Sequence, residues 1–195
     1  RQEQFPDEDV ALLRSLGLIT APLPHRLGGL GAGTEAAGAD GLFGLLRRIG
    51  QGNMAVGRLW EAHVNALRLI VDYGNQAQVE AAAEDARAGL LFGVWVTDPP
   101  GTALHLRDGV LRGGKGPCSG AGHLERAVVT VEAEGGFQLA MLRLDGTEQV
   151  RPMRGLLHGM RASVNGWVGL DGMAVPASAL VGQPGDYLRE PQLST

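Results

Sequence analysis

The 195-residue sequence holds one cysteine, Cys118, and one lysine, Lys115, with no long apolar run and no excess of basic charge. A single thiol cannot form an internal disulfide, so a bridged extracellular scaffold is excluded and the fold must stand on packing. With 17 Lys+Arg against 21 Asp+Glu the formal charge is −4, which offers no basic footprint for nucleic acid. No stretch approaches the ~20 apolar residues of a bilayer span, and no basic leader precedes an apolar core. A membrane span and a secretory signal are therefore not expected, and a cytoplasmic location is the default expectation. The sequence opens at Arg1 without an initiator methionine, as a processed, trimmed or partly resolved product would. What it has in abundance is glycine, 31 residues, about twice average usage and without period or Ser/Gln bias. The length suits one large domain or two modest ones.

Up to about residue 90 the pattern is helical. Asp7 opens a helix carrying Val10, Leu12, Leu13 and Leu16 that stops at Gly17, and residues 17–33, with two prolines and a cluster of glycines, read as a structured loop. Asn53 is placed to cap a helix with Val56, Leu59, Trp60, His63, Leu67, Ile70 and Val71 on one stripe, closed by Gly74. Asn75 opens a shorter helix with Gln78 as capping-box partner, running to Arg87 and stopping at Gly89. Beyond it, short strands are expected at 91–97, 104–106, 110–111, 127–133, 137–144 and 163–170, with hairpin-like turns at Gly135-Gly136 and Asp145-Gly146. Helices followed by strands imply an α+β chain, here divided into a helical domain over 1–89 and a β domain over 90–195.

Single motifs carry little chemistry. The stretch 109–116 approaches a phosphate-binding loop, but Gly116 follows Lys115 where a hydroxyl must hold Mg²⁺, and Pro117 blocks the helix that should face the phosphate. The glycines at 28–33 lack the spacing of a dinucleotide fingerprint. His25, His63, His105, His123 and His158 show no metal-ligand spacing, and His63, on the apolar stripe, reads as a core histidine satisfied by one hydrogen bond. Cys118-Ser119-Gly120 is no nucleophile elbow. Trp95 and Trp167 fall in apparent strands and read as core rather than cofactor-stacking residues.

Taken in order, four stretches resemble the acyl-CoA dehydrogenase family of FAD enzymes. They are Gly17-Leu-Ile-Thr-Ala-Pro22 leading to Leu27-Gly-Gly-Leu-Gly31; Trp60 to Gly74 with the following Asn75-Gln-Ala-Gln; Val94-Trp-Val-Thr-Asp-Pro99; and Gly159-Met-Arg-Ala-Ser163 through Asp171-Gly-Met-Ala-Val-Pro176 to Leu180-Val-Gly182. Between the last two, Leu111-Arg-Gly-Gly-Lys115 resembles the family's glycine-lysine turn. Each motif alone is weak, but the series spans nearly the whole sequence with family-like gaps.

The resemblance implies an N-terminal all-α domain followed by an antiparallel β-barrel domain, with the flavin ring of FAD held against the barrel. By position, Val94, Val96 and Thr97 would contact the flavin from one strand and Pro117, Cys118 and Ser119 from another, while Thr102 and Ala103 would face the substrate. Such contacts suit a planar ring rich in acceptors. The family usually has an aromatic residue where Pro117 stands and Glu where Asp98 stands. After the proline it continues Gly-Ala-Gly-Ser-Asp, whereas this sequence has Pro100-Gly-Thr-Ala-Leu104, placing Ala103 where a serine usually lies. Family members continue into a C-terminal helical domain that supplies the catalytic glutamate, much of the FAD binding and most of the oligomer interface. The sequence ends at Thr195, where that domain is expected to begin, so no catalytic residue is nominated here. A truncated or partly ordered protein, a partner chain supplying the rest, or a repurposed remnant would each account for it.

The implied activity is α,β-dehydrogenation of an acyl thioester, with an electron acceptor as partner and a homo-oligomer as the intact form. The barrel face left uncovered is expected to make the isolated chain associate. A flavin-dependent monooxygenase fed by a reductase stays open, since the Ser119-Gly120 pair also occurs in that branch of the family. So does a non-enzymatic binding module that keeps only the fold.

Overall fold

In the computed structural model, which describes residues 4–153 and 159–189, helices occupy the first part of the chain and two sheets the second. His158 and Thr195 lie outside the described residues. Helix α1 (Asp7–Ser15) has Asp7, Glu8 and Asp9 in its first turn, where carboxylates meet the positive end of the helix dipole. It buries Val10 and Leu13 but exposes Leu12 and Leu16, so the apolar stripe is narrower than the sequence suggests.

Helix α3 (Met54–Tyr73) starts as its sequence predicts, with the Asn53 side chain accepting the backbone N–H groups of Ala55 and Val56 at 3.0 and 3.5 Å. Helix α4 (Gln76–Arg87) carries the expected capping box between Asn75 and Gln78. Helix α2 (Ala39–Gly52) is the element the periodicity did not isolate. It contains Gly41, Gly44, Gly50 and Gly52, each costing about 1 kcal/mol of helix propensity. Packing outweighs that cost. Leu42, Leu45, Leu46 and Ile49 lie against the core, and Gly50 comes so close to α3 that a Cβ on Gly57 would stand 3.2 Å from its Cα.

The larger sheet is built around β5 (Arg126–Ala133), which forms an antiparallel hairpin with β6 (Gly136–Arg143); β6 in turn pairs with the two-residue β9 (Leu180–Val181). The other edge of β5 is shared. β1 (Phe92–Trp95) runs parallel to it from Arg126 to Val129, and β2 (His105–Arg107) joins it in parallel at Glu132. β3 (Val110–Arg112) lies antiparallel to β2. A separate three-stranded antiparallel sheet has the order β4 (Gly114–Cys118), β8 (Gly166–Gly169), β7 (Gln149–Pro152).

The α+β class thus stands, but the expected antiparallel barrel is corrected to two sheets with two parallel pairings. The reason is topological. Parallel neighbours need a long crossover, and the connection from β1 to β5 contains β2, β3 and β4. Strands β4 and β7 escape the sequence pattern because Gly-Lys-Gly-Pro-Cys and Gln-Val-Arg-Pro contain the residues that strands avoid.

One continuous cluster of buried side chains joins helices and sheets, from Val10 and Leu13 through Trp60, Leu67 and Ile70 to Phe92, Val128 and Leu139. Polar ties cross the same boundary. Arg126 grips Asp85 of α4 with two hydrogen bonds of 2.6 and 2.9 Å, and the Gln78 amide donates to the Ser178 and Leu180 carbonyls at 2.7 and 2.8 Å. Among the described residues no helix is long and apolar enough to cross a membrane.

His63 is fully buried on α3 and is satisfied by two hydrogen bonds rather than the one expected. Its Nε2–H donates to the Ile19 carbonyl at 2.8 Å and its Nδ1 accepts the Phe92 N–H at 3.2 Å, tying the early loop to β1. Burial drives its pKa down to about 4, opposed by the Ile19 carbonyl. The folded state therefore keeps the ring neutral while the unfolded chain protonates near its ordinary value, so stability is complete above about pH 6.5 and falls as the pH drops toward 4. The expected loss is about 3 kcal/mol. Thermal melts between pH 4 and 7 check it, and a His63→Gln variant, less stable at pH 7, should lack this slope.

Candidate functional site

The chain leaves the larger sheet at the end of β1, and residues 96–98 run against β4. The Gly116 N–H donates to the Thr97 carbonyl at 2.9 Å, joining the two sheets. Beneath this contact lies Lys115, with no exposed surface. Its ammonium donates to Asp98 Oδ1 at 2.5 Å and to Thr130 Oγ1 at 2.9 Å. The Thr130 hydroxyl donates onward to the Val96 carbonyl at 3.2 Å, and Asp98 Oδ1 also accepts the Leu104 N–H at 3.2 Å. One buried cation therefore fixes both ends of the 98–104 loop. Burial pushes the Lys115 pKa down while Asp98 holds it up. The lysine that resembled a phosphate ligand in sequence is an internal strut.

Val94, Val96 and Thr97 follow one another along β1 and its extension, the first two half-buried and Thr97 exposed. Pro117 is exposed on β4, Ser119 lies just beyond it, and Gly116 beside Thr97 brings the two groups together. Cys118 differs from its neighbours because its side chain points into the core, where desolvation raises the thiol pKa well above the ordinary value. No thiolate nucleophile forms there. Thr102 and Ala103 sit in the loop that the Asp98 carboxylate holds; Thr102 is exposed and its N–H donates to the Pro99 carbonyl at 3.1 Å.

Trp95 and Trp167, alike in sequence, part company here. Trp95 is buried and its indole N–H donates to the Ser119 carbonyl at 3.1 Å. Trp167 is half-buried on β8 beside Gly116. Asn165 was also missed by sequence reasoning. Its side-chain carbonyl accepts the Ser119 hydroxyl at 3.0 Å, and its NH₂ donates to Ser163 Oγ at 2.8 Å. Asn165 falls within the strand expected at 163–170, and nothing in that pattern marks it as the partner of Ser119. A cleft of about 600 Å³ opens at the other end of this sheet, lined by residues such as Arg143, Gln149, Leu170 and Met173, and none of the nominated residues lines it. Among the described residues no group of three His, Cys, Asp or Glu side chains could hold a metal ion.

No protein-family model matches the sequence, and no curated protein matches it. Solved structures do match. Butyryl-CoA dehydrogenase from Megasphaera elsdenii superimposes with a TM-score of 0.77 at 18% identity, over 94% of this chain and 52% of that one. Glutaryl-CoA dehydrogenase from Mycobacterium smegmatis, in complex with FADH2, gives 0.74 at 22% identity, over 91% and 48%. TdsC from Paenibacillus sp. A11-2, in a complex with FMN and indole, gives 0.74 at 19% identity, over 94% and 48%. The chain has the acyl-CoA dehydrogenase fold and spans about half the length of these structures.

The buried pair makes an asymmetric prediction. Asp98→Asn leaves the Lys115 cation buried without its counter-charge and should cost about 3 kcal/mol. Lys115→Met leaves a carboxylate that is partly in water and still bonded to Leu104, and should cost only about 1 to 2 kcal/mol. Urea unfolding of the two variants checks the order, and equal losses would show that the pair is not the constraint.

Proposed function

We propose that this chain forms the flavin-cradling part of a flavin-dependent oxidoreductase, acting in the α,β-dehydrogenation of an acyl thioester with FAD. The observation that carries the reading is the Lys115–Asp98 clamp, which holds exposed Thr97 against β4 at Gly116 in a chain of this fold. The corner fits a flavin on its own terms. A planar ring with acceptors along one edge needs a flat floor and nearby donors, and the corner has an exposed threonine, a strand backbone beside it and a half-buried indole.

A flavin bound there supplies the acceptor for the hydride that leaves the β carbon of the thioester. The chain's own residues bind and orient. Thr97 presents its hydroxyl group, Ser119 is buried with its own hydroxyl engaged by Asn165, Val94 and Val96 give apolar contact, and backbone at Pro117 and Cys118 completes the edge. The loop with Thr102 and Ala103, held by Asp98, is assigned to the substrate side. The base that takes the α proton is assigned to a residue outside those described, and the electron acceptor and a homo-oligomeric assembly belong to the same proposal. A second reading, oxygen chemistry with reduced flavin supplied by a reductase, is favoured by Ala103 in the loop and by the likeness to a protein complexed with FMN.

The test is the visible spectrum of the protein expressed at the full length of its gene. A flavin band that survives desalting is expected, bleached anaerobically by acyl-CoA of suitable chain length. A flavin band that no acyl-CoA bleaches, with product formed only in oxygen, would favour the second reading. Colourless protein that takes up neither FAD nor FMN would sink both.

A further inference from the structure

The pairing of β4 with β8 is irregular at one point. Lys115 faces Val168 and Cys118 faces Gly166, so Gly116 and Pro117 together stand opposite the single residue Trp167. That is the two-against-one count of a β-bulge. Lys115, Cys118 and Val168 are buried and define the inner face. Alternation puts Trp167 on the outer face with Pro117, and Ser119, buried in the turn just past β4, donates its hydroxyl to half-buried Asn165 just before β8. On the next strand Arg151, exposed, is the cross-strand partner of Trp167 and shares its face.

Trp167 is held in place from below. A Cβ on Gly116 would fall 2.0 Å from its Cε3 and 2.7 Å from its Cζ3, so the indole lies directly on the Gly116 backbone. The same Gly116 donates its N–H to Thr97. The ring is thus one peptide away from the exposed threonine, while Trp60 and Trp95 are withdrawn into the core. A rigid, half-exposed indole bordered by a hydroxyl, an amide and a guanidinium is a platform for a planar heteroaromatic ring carrying polar and anionic groups.

We propose that Trp167 is the stacking floor of the cofactor site, with the Ser119–Asn165 pair at its edge and Arg151 beyond it. This rests on the flavin reading above and names the residue that carries the ring contact. Trp167 is a positioning residue toward the flavin.

The experiment uses the full-length protein, FAD and FMN as separate probes, and the variants Trp167→Phe and Trp167→Ala. An indole in contact with a flavin quenches flavin emission by electron transfer, which phenylalanine cannot do. Emission of the bound flavin should be low in the parent and several-fold higher in Trp167→Phe, which keeps a flat ring and so keeps near-parent affinity. Trp167→Ala should bind about tenfold more weakly. Equal affinity and equal emission in all three proteins would overturn the assignment of Trp167 and leave the flavin reading standing. A parent that binds neither FAD nor FMN would overturn both. If Trp167→Ala does not fold, the emission of Trp167→Phe alone decides the matter.

Discussion

The candidate site depends on one ammonium group. Lys115 is the only lysine of the chain and it has no contact with water. A buried cation is tolerated only when a counter-charge and hydrogen-bond acceptors surround it. Here Asp98 supplies one from the segment that follows β1 and Thr130 another from β5 of the larger sheet, while Lys115 itself sits on the smaller one. Three segments distant in sequence must therefore converge before the charge is satisfied. Thr97, Gly116 and the 98–104 loop take their positions from that convergence. A hydrophobic residue at 115 would fill space without demanding any partner, and the strand end would lose its fixed address.

His63 does for the helical part what Lys115 does for the sheets. It is neutral where Lys115 is charged, and it ties the loop at Ile19 to the first residue of β1. With the Arg126–Asp85 fork and the Gln78 amide, it sets the register between helices and strands. Polar groups thus set position in a molecule whose cohesion comes from aliphatic packing.

Much of this was legible in the sequence. The caps at Asn53 and Asn75 were plain because capping residues act locally, through N–H groups two or three positions away. The order of motifs pointed to the fold. Other features were not legible. Helix α2 is rich in glycine and exists because of what it touches. The parallel pairings of β1 and β2 with β5 are decided by crossovers that no short window contains. Burial of Lys115, an inward-facing Cys118 and an outward-facing Trp167 depend on which side of a strand a residue occupies. A bulge at Gly116 and Pro117 changes that phase without leaving a mark in the hydrophobic pattern.

The shared edge of β5 has one more consequence. β1 occupies it as far as Val129 and β2 begins at Glu132, so the chain must step out of the ladder between them. The segment bearing Thr97, Thr102 and Ala103 is that step. Backbone pairing on either side holds the architecture, and the step between is held at Thr97 by the Gly116 N–H and at Asp98 by Lys115, with the Thr97, Thr102 and Ala103 side chains outside those bonds. Side chains of the step other than Asp98 can therefore change while the scaffold stays as it is, which suits a fold shared by two acyl-CoA dehydrogenases and a protein that holds FMN with indole.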